Sequence, residues 1–315
     1  MRPKRWLEHK TISCFNMQTI ENSSQQQGDL VLIHNVPMLK AIANNWAQVE
    51  AFQARPDDII IATYPKAGTT WVSEIVDMVC NNGDVEKSCQ APIYYRVPYM
   101  EFFAPEESDI PGIKYLNSMA SPRLIKTHLP VQLLPKSVWE NNCKVIYVAR
   151  NAKDVAVSFF HFYQSVQMLQ DVGSWEEFLQ KYIAGEVSYG SWYDHVKGWW
   201  EKRQEHRILY LFYEDMKEDP AREIRKVMRF LEKDLGEEVQ EKIVRHTSFQ
   251  AMKENPMTNY ETISHEVLDQ TVSPFMRKGI TGDWKNHFTV AQSEVFDADY
   301  AQKMEGSELH FRTEI

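Results

Sequence analysis

Short runs of consecutive apolar, β-branched residues alternate along the chain with longer segments in which apolar residues recur every three or four positions. Ile59 to Tyr64 (IIIATY) reads as a buried strand, and beyond a turn at Pro65 to Gly68 the residues Trp71, Ile75, Met78 and Val79 repeat at helical spacing. Lys144 to Arg150 (KVIYVAR) reads as a second buried strand leading into an apolar-rich helix from Lys153 through Ser165. Arg207 to Tyr213 (RILYLFY) is a third, and Asp219 and Pro220 supply the N-cap and first-turn proline of a helix running to Glu232. Arg123 to His128 (RLIKTH) is a shorter fourth. Strands alternating with helices predict parallel β-α-β units, and therefore an α/β fold with a central parallel sheet flanked by helices on both faces.

Sheets of that kind bind ligands beyond the carboxyl ends of their strands. The residues expected there are Tyr64-Pro65-Lys66, Lys126-Thr127-His128, Arg150 and Tyr213-Glu214, a concentration of cationic and hydrogen-bonding side chains. No sharp linker and no internal repeat divides the chain, so residues 29–315 are expected to form one domain. Residues 1–28, basic at Arg2, Lys4, Arg5 and Lys10 and without an apolar core, read as a tail rather than a secretory signal, with Met17 as an alternative start.

Composition narrows the classes of function. The chain of 315 residues carries 35 Lys and Arg against 44 Asp and Glu, a net charge of −9, which disfavours a nucleic-acid partner. Its apolar runs fall short of a membrane span. The four cysteines, Cys14, Cys80, Cys89 and Cys143, show neither metal-ligand nor disulfide-framework spacing, which fits a reducing compartment and no metal.

Three segments carry candidate chemistry. In Thr63 to Trp71 (TYPKAGTTW) a strand ends in a glycine-containing turn and a helix opens at Thr69-Thr70, so unpaired backbone N–H groups, two hydroxyls and a positive helix end face one point. The mechanics resemble a phosphate-binding P-loop, but Lys66 precedes Gly68 instead of following it. On loop physics alone an ordinary strand-to-helix turn fits equally well. Arg150 ends a strand with Ser158 on the helix beyond, a pairing that suits either a second phosphate or a surface ion pair. Pro274 to Gly279 (PFMRKG), followed by Gly282-Asp283-Trp284-Lys285, places adjacent cations beside glycines.

Taken together these segments resemble the cytosolic sulfotransferase family, most closely its phenol-sulfating family 1 branch. TYPKAGTTW is similar to that family's 5′-phosphosulfate loop, RNAKDVAVS to its 3′-phosphate segment and FMRKGITGDWKN to its C-terminal loop; RLIKTHLP, LYLFYEDM, HTSFQAMKENPMTNY and FDADYAQKM match in order. The resemblance implies a P-loop-like nucleotide-binding fold, 3′-phosphoadenosine 5′-phosphosulfate (PAPS) as donor, and small phenolic acceptors such as xenobiotics, catechols, iodothyronines or steroids. It implies that Lys66, Ala67, Gly68, Thr69, Thr70 and Trp71 line the 5′ side. Arg150, Ser158, Arg277, Lys278 and Gly279 would hold the 3′-phosphate, while Tyr213, Thr247, Phe249 and Met252 surround the adenosine and Phe275 and Met276 complete the closing loop.

The same resemblance makes His128 the general base, an imidazole able to accept a phenol's proton at neutral pH. Lys66 would stabilise the leaving phosphate oxygen, and Lys126 the transferring sulfuryl oxygens. Tyr99, Phe102, Phe162, Tyr260 and Val267 would join Lys126 and His128 around the acceptor. Tyr99 and Val267 depart from the phenylalanines of many family members. Lys285 to Glu294 (KNHFTVAQSE) is similar to the family's short homodimer motif, and the resemblance implies a cytoplasmic protein.

Overall fold

The computed structural model describes residues 29–102, 112–167, 169 and 171–315; the sequence-derived tail, residues 1–28, lies outside them. Four strands form the main sheet in the order β4-β3-β5-β6: β3 is Ile59–Thr63, β4 Leu124–Thr127, β5 Lys144–Ala149 and β6 Ile208–Phe212. All three pairings are parallel, with Ile61 opposite Lys126 and Ile146, and Val148 opposite Leu211. Every residue of β3 and β4 is buried: β3 is the apolar run that a covered parallel sheet requires, whereas β4 also buries the polar Lys126 and Thr127.

Side-chain alternation along the strands divides the core into two layers. Ile60, Ala62, Val145 and Tyr147 face one layer with Val155, Phe159, Phe178, Trp192 and Trp199. These come from helices α2 (Ala152–Ser165), α3 (Trp175–Ala184) and α4 (Trp192–Lys202). Ile59, Ile61, Ile146 and Val148 face the other with Val72, Ile75, Val79, Ile224, Val227 and Ile243. Helices α1 (Thr69–Cys80), α6 (Pro220–Phe230) and α7 (Glu237–His246) supply them. The predicted doubly covered α/β sheet is therefore what the chain builds.

Two features were absent from the sequence reading. A separate antiparallel hairpin joins β1 (Leu30–Ile33) to β2 (Val36–Leu39), turning at His34 and Asn35, both with positive φ. The third strand stops at Phe212, and Tyr213–Glu218 starts a short helix, α5, so Tyr213 sits at a strand-to-helix corner. The observed ends otherwise differ from the predicted ones by no more than about two residues, the usual uncertainty of a helix or strand terminus.

The register of β4 against β3 is clamped by one buried ion pair. Arg123, 1% exposed, donates from Nε and an Nη to the two carboxylate oxygens of Asp58 at 2.9 and 2.6 Å, and its remaining donors reach the carbonyls of Leu116 and Gln53. Removing the guanidinium leaves a buried, unpaired carboxylate, so Arg123→Met is expected to cost about 3–5 kcal/mol in denaturant unfolding. A loss below about 1 kcal/mol would contradict this role.

Candidate active site

The ends of β3, β4, β5 and β6 open into one cavity of about 410 Å³. At one wall, Lys66 adopts positive φ, and Gly68 caps α1 at φ 104°, where a Cβ would stand 2.9 Å from the Tyr213 ring. The turn accordingly needs glycine there both for conformation and for space. The Thr63 and Thr69 hydroxyls are 2.6 Å apart, which fastens the strand end to the first turn of α1.

Lys66 has its ammonium 4.1 Å from the Phe162 ring centre and 4.5 Å from that of Phe275. Burial, together with the nearby Arg150 and Arg277 charges, lowers its pKa to about 7. Arg150 lies over the Tyr213 ring at 4.3 Å and donates to the carbonyls of Lys66 and Ile280, tying the first loop to the C-terminal one. Asp154, in the first turn of α2, accepts from the backbone N–H groups of Gly282 and Trp284 and fixes that same loop. Arg277 and Lys278 both pair with Asp283, at 2.7 and 2.6 Å. The Nε atoms of Arg150 and Arg277 and the Nε1 of Trp71 are buried without a hydrogen-bond partner among the described residues. Buried donors left unpaired in this way suit an anion and its attached heterocycle.

The opposite wall is built around His128, which follows β4. Its Nδ1 lies 2.8 Å from the Thr63 carbonyl; a carbonyl only accepts, so Nδ1 carries the proton and Nε2 presents a lone pair. Burial pushes its pKa down to about 3, with the His195, Lys126 and Lys66 charges acting in the same direction, so the imidazole is neutral. Tyr99 donates its hydroxyl to Nε2 at 2.9 Å. Lys126 is fully buried beneath the cavity and donates to the Tyr260 hydroxyl at 3.0 Å, with the Tyr99 ring 4.6 Å away. Tyr260, at positive φ, packs on Phe275 at 4.1 Å.

The cavity gathers most of the residues singled out from sequence. Lys66, Gly68, Thr69, Thr70, Trp71, Arg150, Ser158 and Tyr213 line it, as do Phe249, Met252, Phe275, Met276, Arg277, Lys278 and Gly279. Tyr99, Phe102, His128, Phe162, Tyr260 and Val267 line its other part. Three do not: Ala67 and Lys126 are buried behind the wall, and Thr247 is buried with its hydroxyl on the Ile243 carbonyl. Among the described residues no group of three or more His, Cys, Asp or Glu side chains is placed to hold a metal ion, and no helix is long and apolar enough to cross a membrane.

A sulfotransferase domain model matches residues 56–308 of this chain. The chain belongs to the sulfotransferase family. Rat sulfotransferase 1 family member D1 is 63% identical over 91% of this chain and 97% of its own length, and human sulfotransferase 1E1 is 56% identical over 90% and 96%. The crystal structure of mouse sulfotransferase SULT7A1 complexed with PAP, 33% identical, superposes with a TM-score of 0.70 over 89% of this chain and 95% of that one.

This sulfotransferase also contains site residues that sequence reasoning missed. Glu101 is buried and accepts from the His128 backbone N–H at 2.8 Å, the Thr127 hydroxyl at 2.8 Å and the Tyr189 hydroxyl at 3.3 Å. Burial raises its pKa to about 7 against those hydrogen bonds. The Thr127 hydroxyl in turn accepts from the Leu129 N–H, so one carboxylate organises the backbone on both sides of the imidazole. His195 bonds the His128 carbonyl at 3.0 Å and the Tyr147 hydroxyl at 2.7 Å, supporting the same residue from behind. The only sequence signal for Glu101 was a carboxylate amid an apolar run, Tyr99-Met100-Glu101-Phe102.

The lysine in this site gives binding a pH dependence. In the free protein Lys66 is depressed from 10.5 to about 7, and an anion beside it restores the charged form, so above pH 7 binding takes up a proton. Affinity for adenosine 3′,5′-bisphosphate is therefore expected to fall by up to about tenfold per pH unit above pH 7. Calorimetry in buffers of different ionisation enthalpy measures this directly; constant affinity from pH 7 to 9 with no proton uptake would contradict it.

Proposed function

We propose that this sulfotransferase moves the sulfuryl group of PAPS to the hydroxyl, or amine, of small phenolic acceptors, with His128 as general base. The observation that carries the reading is the position of His128: an imidazole of fixed tautomer turns its Nε2 lone pair into the same cavity that Lys66, Arg150 and Arg277 border. The SULT7A1 structure holds PAP, and the unpartnered Arg150 Nε, Arg277 Nε and Trp71 Nε1 fit such a nucleotide here. The donor supplies an electrophilic sulfur and a phosphate leaving group.

The protein's own groups divide the work. Arg150, Arg277, Lys278 and the Gly279 turn hold the 3′-phosphate, with Ser158 beside them. Lys66, Gly68, Thr69, Thr70 and the N-terminus of α1 receive the 5′ end, and Trp71, Tyr213, Phe249 and Met252 enclose the adenosine. Lys66 offsets the charge that develops on the departing phosphate oxygen. Lys126 contributes its charge from below, relayed through the Tyr260 hydroxyl. Phe102, Phe162, Tyr260 and Val267 bind a flat ring, and His128 Nε2 takes the proton of the attacking hydroxyl.

His128→Ala is expected to lower sulfation of a simple phenol by about 10²- to 10⁴-fold while adenosine 3′,5′-bisphosphate still binds. Near-normal turnover in that variant would reject the base assignment.

We further propose that residues 29–315 act as one unit, working in the cytoplasm as a homodimer through Lys285 to Glu294. Among the described residues Cys80, Cys89 and Cys143 are free, which fits a reducing compartment. Within the dimer segment Thr289 caps helix α8 (Val290–Lys303) in a capping box with Gln292, which leaves Val290 76% exposed at the helix start and Val295 64% exposed further along. Val290→Glu is expected to convert a dimer into monomers in sedimentation velocity. Dimers that persist, or a native protein that is already monomeric, would reject this interface.

A further inference from the structure

We propose that the phenol of Tyr99 is a resident occupant of the acceptor position: in the free protein its hydroxyl caps the Nε2 lone pair of His128, and an incoming hydroxyl must displace it. This inference rests on the reading of His128 as the base. The Tyr99 oxygen stands 2.9 Å from Nε2, and because Nδ1 gives its proton to the Thr63 carbonyl, tyrosine is the donor in that contact. An aromatic hydroxyl with its proton aimed at the imidazole is the arrangement a phenolic acceptor needs.

The cap is held in place from several sides. The Tyr99 ring meets Phe102 edge-on at 4.3 Å and the His128 ring at 5.0 Å, and its backbone forms a parallel bridge with Lys126. Without tyrosine's proton, the buried Nε2 has an acceptor site to satisfy, so the free protein gains from the contact. A phenol brings ring burial in the apolar pocket as well as a hydroxyl, and that extra binding displaces the cap. Water brings only the hydroxyl.

The consequence concerns a wasteful side reaction. In donor hydrolysis the water oxygen forms a bond to sulfur, and the sulfur–oxygen bond to the phosphate breaks with its electron pair staying on the phosphate. The water proton goes to Nε2. A capped Nε2 is withheld from water, whereas at saturating acceptor the cap is already displaced and turnover is not slowed by it. The cap thus raises the concentration of acceptor needed and lowers hydrolysis in its absence.

The test compares native protein with Tyr99→Phe, which keeps the ring and removes the hydroxyl. Both are saturated with adenosine 3′,5′-bisphosphate, whose unaltered binding verifies folding, and titrated with a simple phenol and with its methyl ether. Tyr99→Phe is expected to bind the phenol about two- to tenfold more tightly and the ether unchanged. With PAPS and no acceptor, it is expected to release sulfate faster by a similar factor. Equal tightening for phenol and ether would show that only space was gained and would overturn the proposal, as would no change for either. Sulfated Tyr99 in a peptide mass map after incubation with PAPS would also overturn it, since the hydroxyl would then be a reactant. His128→Ala separates the two levels: retained phenol sulfation there rejects the base, while the binding result for Tyr99→Phe decides the cap by itself.

Discussion

A single 2.8 Å hydrogen bond, from His128 Nδ1 to the Thr63 carbonyl, joins the two halves of this site. Thr63 ends the strand whose following turn carries Lys66 and Gly68, and His128 follows the neighbouring strand. Because β3 and β4 run parallel in fixed register, their carboxyl ends finish side by side. The bond then sets the tautomer, and the tautomer decides that the nitrogen facing the cavity is an acceptor. Glu101 and His195 hold the surrounding backbone from opposite directions, so the imidazole has little freedom to turn. Preorganisation of this kind reduces the ordering that must accompany reaction.

The same sheet accounts for a cationic pocket in an acidic protein. Lys66, Lys126, Arg150, Arg277 and Lys278 come from four separated segments of a chain with net charge −9. Three segments leave neighbouring strand ends, and the fourth is tied down by Arg150 on the Ile280 carbonyl and by Asp154 on Gly282 and Trp284. Each cation has a compensation in the free protein. Aromatic faces receive Lys66, a tyrosine hydroxyl receives Lys126, and Asp283 takes both Arg277 and Lys278. Ring faces replace only part of the hydration of Lys66, and burial lowers its pKa to about 7.

What was readable in the chain follows from the range of each interaction. The buried strands at Ile59 and Lys144 and the helices after them were visible because their periodicity is local, and the turn at Lys66 to Gly68 was visible because glycine is demanded there. The β1–β2 hairpin was not, since its turn uses His34 and Asn35 in the left-handed region without the glycine that usually marks such a turn. Glu101 was missed because its partners, Thr127 and His128, lie 26 and 27 residues away and meet it only through the fold. The expectation for Lys126 also needed the structure: its position at a strand end was evident, but not that its ammonium turns beneath Tyr260 instead of lining the cavity. Tyr99 stood out in sequence as an unusual residue, yet its contact with Nε2 depends on rotamers that sequence does not show.

His128 is held as a neutral imidazole with its proton on Nδ1 and its lone pair directed into the cavity. Nitrogen-15 NMR of histidine-labelled protein, with His128 assigned by substitution, reads both properties at once. A protonated Nδ1 and unprotonated Nε2 at pH 7, with no titration of that ring above pH 5, is the expected result. A ring carrying its proton on Nε2, or one titrating near pH 6.5, would contradict the account.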